Sequence, residues 1–172
     1  QISIVSVIAL FALGCAPQTD SDKAASMEKA VPVWAEGREK EMNLNLGFRA
    51  SFTAEAGQEV GVKIAAATLY RIYVNGNFVG SGPARAAHGY FRIDEYPVGQ
   101  FTKERENILA IEVAGYNVNS FYTLDQPSFL QAEVLEGDKV LAATGVSGFE
   151  AAVPAERVQK VQRYSFQRPF SE

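Results

Sequence analysis

The chain has 172 residues, 47% of them hydrophobic and 21% charged, with a net charge of −4, one histidine and one cysteine. This is the balance of a globular protein, and its acidity offers no basic face for nucleic acid. One cysteine excludes an internal disulfide, the lack of a Cys/His cluster excludes a zinc site of that type, and His88 is the sole histidine available to a Ser-His-Asp triad.

Residues 1–15 read Gln1-Ile-Ser-Ile-Val-Ser-Val-Ile-Ala-Leu-Phe-Ala-Leu-Gly-Cys15, with no charge among them. An apolar stretch of about 13 residues falls short of the ~20 that span a bilayer, and it has the length and small-residue exit of a secretory signal peptide. Ala12-Leu13-Gly14-Cys15 resembles a bacterial lipobox, in which the cysteine is acylated and becomes the mature N-terminus. The alternative is an ordinary signal peptide with an incidental cysteine. The lipobox implies an exported, lipid-anchored protein of a bacterial cell envelope. Ala16, standing where an aspartate retains some lipoproteins at the inner membrane, points to the outer membrane. Gln1 is no initiator and no basic segment precedes the run, so the chain is expected to begin inside a longer one. Residues 16–30 are polar, small and aperiodic, the composition of a flexible tether.

From Val31 to Val153 short strand-like pieces alternate with Gly, Asn, Asp and Pro. Leu46–Phe52, Val60–Ala65 and Leu69–Val74 are expected strands, the last rich in β-branched and aromatic residues. Asn75-Gly76 then predicts a two-residue hairpin turn, because both residues accept positive φ at low cost. The returning strand should end at Gly80-Ser81-Gly82-Pro83, since proline gives no ladder donor. Tyr90–Ile93 reads as a further strand. Asn107–Val113 is nearly continuously apolar, as a central strand covered on both faces would be. Phe129–Leu135 and Lys139–Ala143 predict a second hairpin around Glu136-Gly137-Asp138, and Phe149–Val153 a last strand. Ala155–Tyr164 is the one helical candidate, with Val158 and Val161 three apart. This spacing of strands predicts an all-β domain, an antiparallel β-sandwich or jelly roll, over residues 31–153. Residues 154–172 read as the start of a linker, with Arg157, Lys160, Arg163 and Arg168 as a solvated basic tail.

The middle of the chain is similar to a known family. The succession starts at Tyr70-Arg-Ile-Tyr-Val-Asn75-Gly76-Asn-Phe-Val-Gly80-Ser-Gly-Pro83-Ala-Arg85 and continues through Ala87-His88-Gly89-Tyr90 to Asp94-Glu95-Tyr96. It then runs from Glu106-Asn107 to Gly115-Tyr116-Asn117-Val-Asn119-Ser-Phe-Tyr122 and ends at Asp125-Gln126-Pro127-Ser-Phe129-Leu-Gln-Ala-Glu133-Val. It resembles the N-terminal domain of bacterial α-L-rhamnosidases and the galactose-binding-like jelly rolls of other large glycoside hydrolases, over roughly Trp34 to Gly145. The resemblance implies an accessory domain of a glycoside hydrolase. The family's reaction, inverting hydrolysis of terminal α-L-rhamnosides, belongs to a downstream α/α-toroid domain with acidic catalytic residues, and nothing like that domain is present here. No catalytic residue, cofactor or metal ligand is expected in this segment. Its expected partners are a rhamnose-containing glycan, the downstream catalytic domain and, through the lipid, the membrane.

The residues themselves offer one unusual loop. Between Gly115 and Gln126 stand Tyr116, Asn117, Asn119, Ser120, Phe121, Tyr122 and Asp125. An aromatic ring stacks on the apolar face of a pyranose while amides and carboxylates bond its hydroxyls, and loops carry such groups more often than sheet interiors. Tyr116, Asn117, Asn119, Tyr122 and Asp125 are therefore candidate carbohydrate contacts, joined by Arg85 and His88 from the loop after the first hairpin. Each has a plainer reading: Asp125 as a turn former, His88 as a packing residue, Phe121 and Tyr122 as closure of the sandwich end. Asp94 and Glu95 are neighbours on a strand, so they point to opposite faces and do not form a glycosidase pair. Glu112 and Glu133 are expected on an outward or inter-domain face. Two further functions stay open: a purely structural inter-domain module, and a free-standing sugar-binding or adhesion lipoprotein.

Overall fold

The computed structural model describes residues 26–55, 58–87, 89–119 and 123–160. The chain there forms nine strands: β1 Leu44–Thr53, β2 Val60–Ala67, β3 Leu69–Val74, β4 Asn77–Gly82, β5 Asp94–Pro97, β6 Glu106–Gly115, β7 Phe129–Glu136, β8 Lys139–Ala143 and β9 Phe149–Ala152. They build two antiparallel sheets in the orders β4-β3-β6-β1-β9 and β5-β2-β7-β8. This is the expected all-β antiparallel sandwich.

Period-two patterning makes the core. Along β1, Leu44, Leu46, Phe48, Ala50 and Phe52 turn inward, and β6 adds Leu109, Ile111 and Val113. The second sheet meets them with Val60, Val62 and Ile64 of β2 and Leu130, Ala132 and Val134 of β7. The first hairpin has the chemistry its sequence promises. Asn75 and Gly76 hold φ of 50° and 80°, the left-handed pair of a type I′ turn. Asn75 also receives the Ile108 N–H on Oδ1, and its Nδ2 donates to Asn107 Oδ1 at 2.8 Å, so the turn is bolted to the start of β6.

Several expectations are corrected. Tyr90–Ile93 is not a strand; the ladder to β2 begins at Asp94, and Tyr90 and Phe91 are exposed. β6 is central in its sheet, but only its inner face is fully buried, and its outer positions are half-covered. Residues 155–160 are not helical; the rest of that helical candidate lies outside the described residues. Arg157 instead ties this segment to Glu112 on the outer face of the first sheet and Gln159 ties it to Glu41 ahead of β1, so it is no solvated tail as far as Gln159; Lys160 is exposed, and Arg163 and Arg168 lie outside the described residues.

The folded part also begins earlier than Val31. Glu133 sits on an outward register position of β7 yet is fully buried, because the chain before Val31 covers it. Its carboxylate accepts the backbone N–H groups of Glu28, Lys29 and Ala30 at 3.1 to 3.3 Å. Lys63 donates to the Ser26 carbonyl and Gln131 to the Ala30 carbonyl. Val33 then pairs with Leu130 along the edge of β7. The remainder of the expected tether, and Cys15, lie outside the described residues.

Candidate functional site

The outer face of the five-stranded sheet carries a groove of about 580 Å³. Strand pairing places its floor: Leu69 and Arg71 of β3 stand opposite Ala114 and Glu112 of β6, and Asn45 of β1 flanks Ala114. Ser81, Gly82 and Pro83 close one wall where β4 ends, Tyr116 closes the loop end, and Arg157 comes in from the segment after β9.

Its charges are unevenly paired. Glu112 Oε1 accepts both Nε (2.8 Å) and Nη2 of Arg157, a fork on one oxygen. Arg71 Nη1 lies 3.9 Å from Glu112 Oε2, beyond hydrogen-bond distance, with its side chain 59% exposed. The segment carrying Arg157 is tied a second time, by Gln159 Nε2 to Glu41 Oε2 at 2.9 Å and to the Met42 carbonyl at 3.1 Å. Arg38 donates to the same Glu41 carboxylate at 2.7 Å. The Arg38 bond, and then the Gln159 bond, lower the Glu41 pKa to about 2.

Beneath one edge of the groove lies a polar clamp. The Tyr70 hydroxyl donates to Asp94 Oδ2 at 2.6 Å and lies 3.0 Å from the Tyr96 hydroxyl, while Arg92 pairs with Asp94 Oδ1 at 3.0 Å. Burial, and then the bond to Asp94, hold the Tyr70 phenol well above its ordinary range. Gly82 is required here: a Cβ would stand 2.5 Å from the Tyr70 hydroxyl oxygen and 2.7 Å from Asp94 Oδ2.

The candidate residues scatter. Of those read from the sequence, Tyr116 lines the groove. Asn117 is buried, with φ of 43°, and its Nδ2 reaches the Glu39 carbonyl at 3.5 Å, so it is turned into the sandwich end. Asn119, Asp125 and Arg85 are exposed and do not line the groove. Tyr122 and His88 lie outside the described residues. Asp94 is the hydrogen-bond acceptor of the clamp. Arg71, Glu112 and Arg157 are what the sequence reading missed as a group. The alternation of β3 and β6 already puts Arg71 and Glu112 outward; their register, and the return of Arg157, are not local information.

The loop end also gathers buried polar atoms without a hydrogen-bond partner among the described residues: Trp34 Nε1, Asn43 Oδ1, Asn117 Oδ1 and Ser128 Oγ. Gly115 makes their approach possible, since a Cβ there would stand 2.6 Å from Trp34 Cζ2 and 2.7 Å from Ser128 Oγ. Among the described residues no three His, Cys, Asp or Glu side chains converge as a metal site.

No family model and no curated protein matches the chain. Solved structures do. A GH78 family rhamnosidase of Bacillus sp. GL1 superposes with a TM-score of 0.69 and 29% identity, over 75% of this chain and 14% of that one. The α-L-rhamnosidase of Streptomyces avermitilis, crystallised with L-rhamnose, gives a TM-score of 0.58 and 16% identity over 77% of this chain and 13% of that one. A lectin from Pleurotus ostreatus in complex with GalNAc gives a TM-score of 0.50 and 20% identity over 83% and 38%. The latter two show the fold alone. The resemblance read in the sequence is thus met in structure: this sandwich is similar to one domain-sized part of GH78 α-L-rhamnosidases and spans about a seventh of the first one's length.

Proposed function

We propose that this chain is the carbohydrate-recognising accessory sandwich of a rhamnosidase-type glycoside hydrolase, and that the groove over β3, β6 and β1 is its binding face. The observation that carries the reading is the match to the Bacillus enzyme at 29% identity along three-quarters of the chain. The groove supports it in kind: its volume of about 580 Å³ is within the range of small-ligand sites, and its lining combines Tyr116 with guanidinium, carboxylate and amide side chains. The reaction itself, hydrolysis of terminal α-L-rhamnosides, falls to a catalytic domain elsewhere in the protein, and this segment hydrolyses nothing alone. Acylation of Cys15 would hold the whole in a bacterial cell envelope, at the outer membrane. Metabolic labelling with a fatty-acid analogue, lost in a Cys15→Ser variant, tests the anchor.

The test of recognition is a titration of the protein with L-rhamnose and a panel of rhamnosylated oligosaccharides, followed by calorimetry and by amide shifts. Saturable shifts clustered on Arg71, Glu112 and Tyr116, weakened in Tyr116→Ala, support the reading. Flat traces across the panel sink it. A second reading, that the sandwich braces a neighbouring domain, is favoured by one feature: residues 154–160 already lie against the groove, with Arg157 forming part of its wall.

A further inference from the structure

We infer that the groove is built for an acidic glycan, with Arg71 meeting the carboxylate of a uronate sugar. This rests on the reading of the groove as a carbohydrate site and adds the class of sugar.

The groove has its own charge, distinct from that of the chain. The charged residues lining it are Arg71, Arg157 and Glu112, two cations to one anion, in a protein whose net charge is −4. The single carboxylate ion-pairs with both cations but hydrogen-bonds only Arg157. Glu112 is taken by the fork of Arg157, at 2.8 Å for Nε, and Arg71 is left at 3.9 Å on the other oxygen. An arginine carries five N–H donors in a planar array, shaped to take a carboxylate through two parallel bonds. Arg71 is also the most exposed of the three, with 59% of its side chain open against 24% for Glu112 and 32% for Arg157.

The surroundings select among anions. With Arg157 bound to Glu112, one guanidinium remains for a ligand, which suits a monoanion. A phosphate dianion gains most where several cations converge. The same groove offers Leu69, Ala114 and Pro83 as apolar surface and Tyr116 as a ring, the partners of a pyranose C–H face. A carboxylate attached to a pyranose matches both halves. Glu112, held in place by Arg157, keeps a fixed acceptor edge for sugar hydroxyls and repels a ligand that brings its carboxylate in reversed.

The experiment compares matched ligands on the full chain: digalacturonic acid and a glucuronate-containing disaccharide, each beside its counterpart in which the carboxyl is reduced to a primary alcohol. The acidic member is expected to bind about tenfold more tightly at low salt, the scale of one charge-assisted contact. That margin should shrink as salt screens it. Arg71→Gln, at an exposed position, is expected to fold normally and to bring the acidic member down to the affinity of its neutral counterpart. Equal binding of acidic and neutral members overturns this inference and leaves the carbohydrate reading standing. Competition by inorganic phosphate as strong as by free galacturonate also overturns it, because the site would then read charge alone. If no member of either pair binds, this inference falls, and the titration with rhamnosylated oligosaccharides decides whether the carbohydrate reading falls with it.

Discussion

The Tyr70 hydroxyl bonds Asp94 across the open edge of the sandwich, joining β3 of one sheet to β5 of the other. The two sheets share no ladder at this edge, so the clamp is a polar weld between faces otherwise held by apolar packing. Removing the hydroxyl in Tyr70→Phe leaves Asp94 Oδ2 without its closest partner. A loss of about 1 to 3 kcal/mol is expected, as for a hydrogen bond to a charged acceptor. Urea denaturation of the two proteins measures it, and an unchanged midpoint would mean the weld is ornamental.

The same residue predicts a limit at high pH. The folded-state pKa of Tyr70 is raised above its ordinary 10.0, by burial first and by Asp94 second. The unfolded chain therefore loses this proton before the folded one does. The contribution is complete below pH 10.0 and declines as pH rises above it. Melting curves on the alkaline side should fall more steeply for the wild type than for Tyr70→Phe, which has no such proton to lose.

Glu133 carries a different load. Its carboxylate gathers N–H groups from a segment more than 100 residues earlier in the chain, Glu28 lying 105 positions away. Glu133→Gln keeps the volume but gives up one acceptor oxygen and the charge, and turns an NH₂ toward donors. The expected cost is about 3 kcal/mol, within the range for breaking a buried charged network. Hydrogen exchange should quicken first at residues 28–30; exchange that quickens uniformly through the sandwich would instead mark a global effect.

The acid response should be local. The Glu41 pKa is lowered to about 2, chiefly by Arg38 and next by Gln159. A depressed carboxylate contributes above its ordinary pKa of 4.5, and that contribution is lost as pH falls toward about 2. Gln159 should leave Glu41 only as pH approaches about 2, loosening the segment that carries Arg157. The side-chain amide resonances of Gln159 report the release. Titration of those resonances with an ordinary carboxylate pKa would reject the coupling.

These contacts show why some of the molecule was legible in sequence and some was not. Alternation in β1 and β6 and the Asn75-Gly76 turn are local signals, and they placed most strands and the hairpin to within a few residues. Tyr90–Ile93 misled because its aromatic residues look like strand while Asp94–Pro97 wins the ladder through tertiary partners. Glu133 was read as outward, which its register supports, and its burial comes from residues 28–30 folding over it. Asn117 looked like a sugar ligand by residue type, and a left-handed backbone turned it inward. The groove's Arg71–Glu112 pair follows from strand register, and Arg157 joins it from 45 positions away. Long-range register and segment return leave no periodic trace.

The last prediction separates two neighbours at the loop end. Gly115 pairs with Leu44, and a Cβ there would meet the Leu44 carbonyl oxygen at 2.7 Å besides Trp34 and Ser128. Backbone cannot swing aside as a side chain can, so Gly115→Ala is expected to cost about 1 to 3 kcal/mol through overpacking. Ser128→Ala should behave oppositely. Its hydroxyl is buried with no hydrogen-bond partner among the described residues, so removing it abolishes a desolvated polar group and leaves the packing of Cβ in place. A change within about 0.5 kcal/mol, or a slight gain, is expected. Since Trp34 is the only tryptophan and touches the same site, its fluorescence follows both unfolding transitions directly. A loss in Ser128→Ala as large as that in Gly115→Ala would show that the hydroxyl is bonded in solution and that the loop end is organised around it.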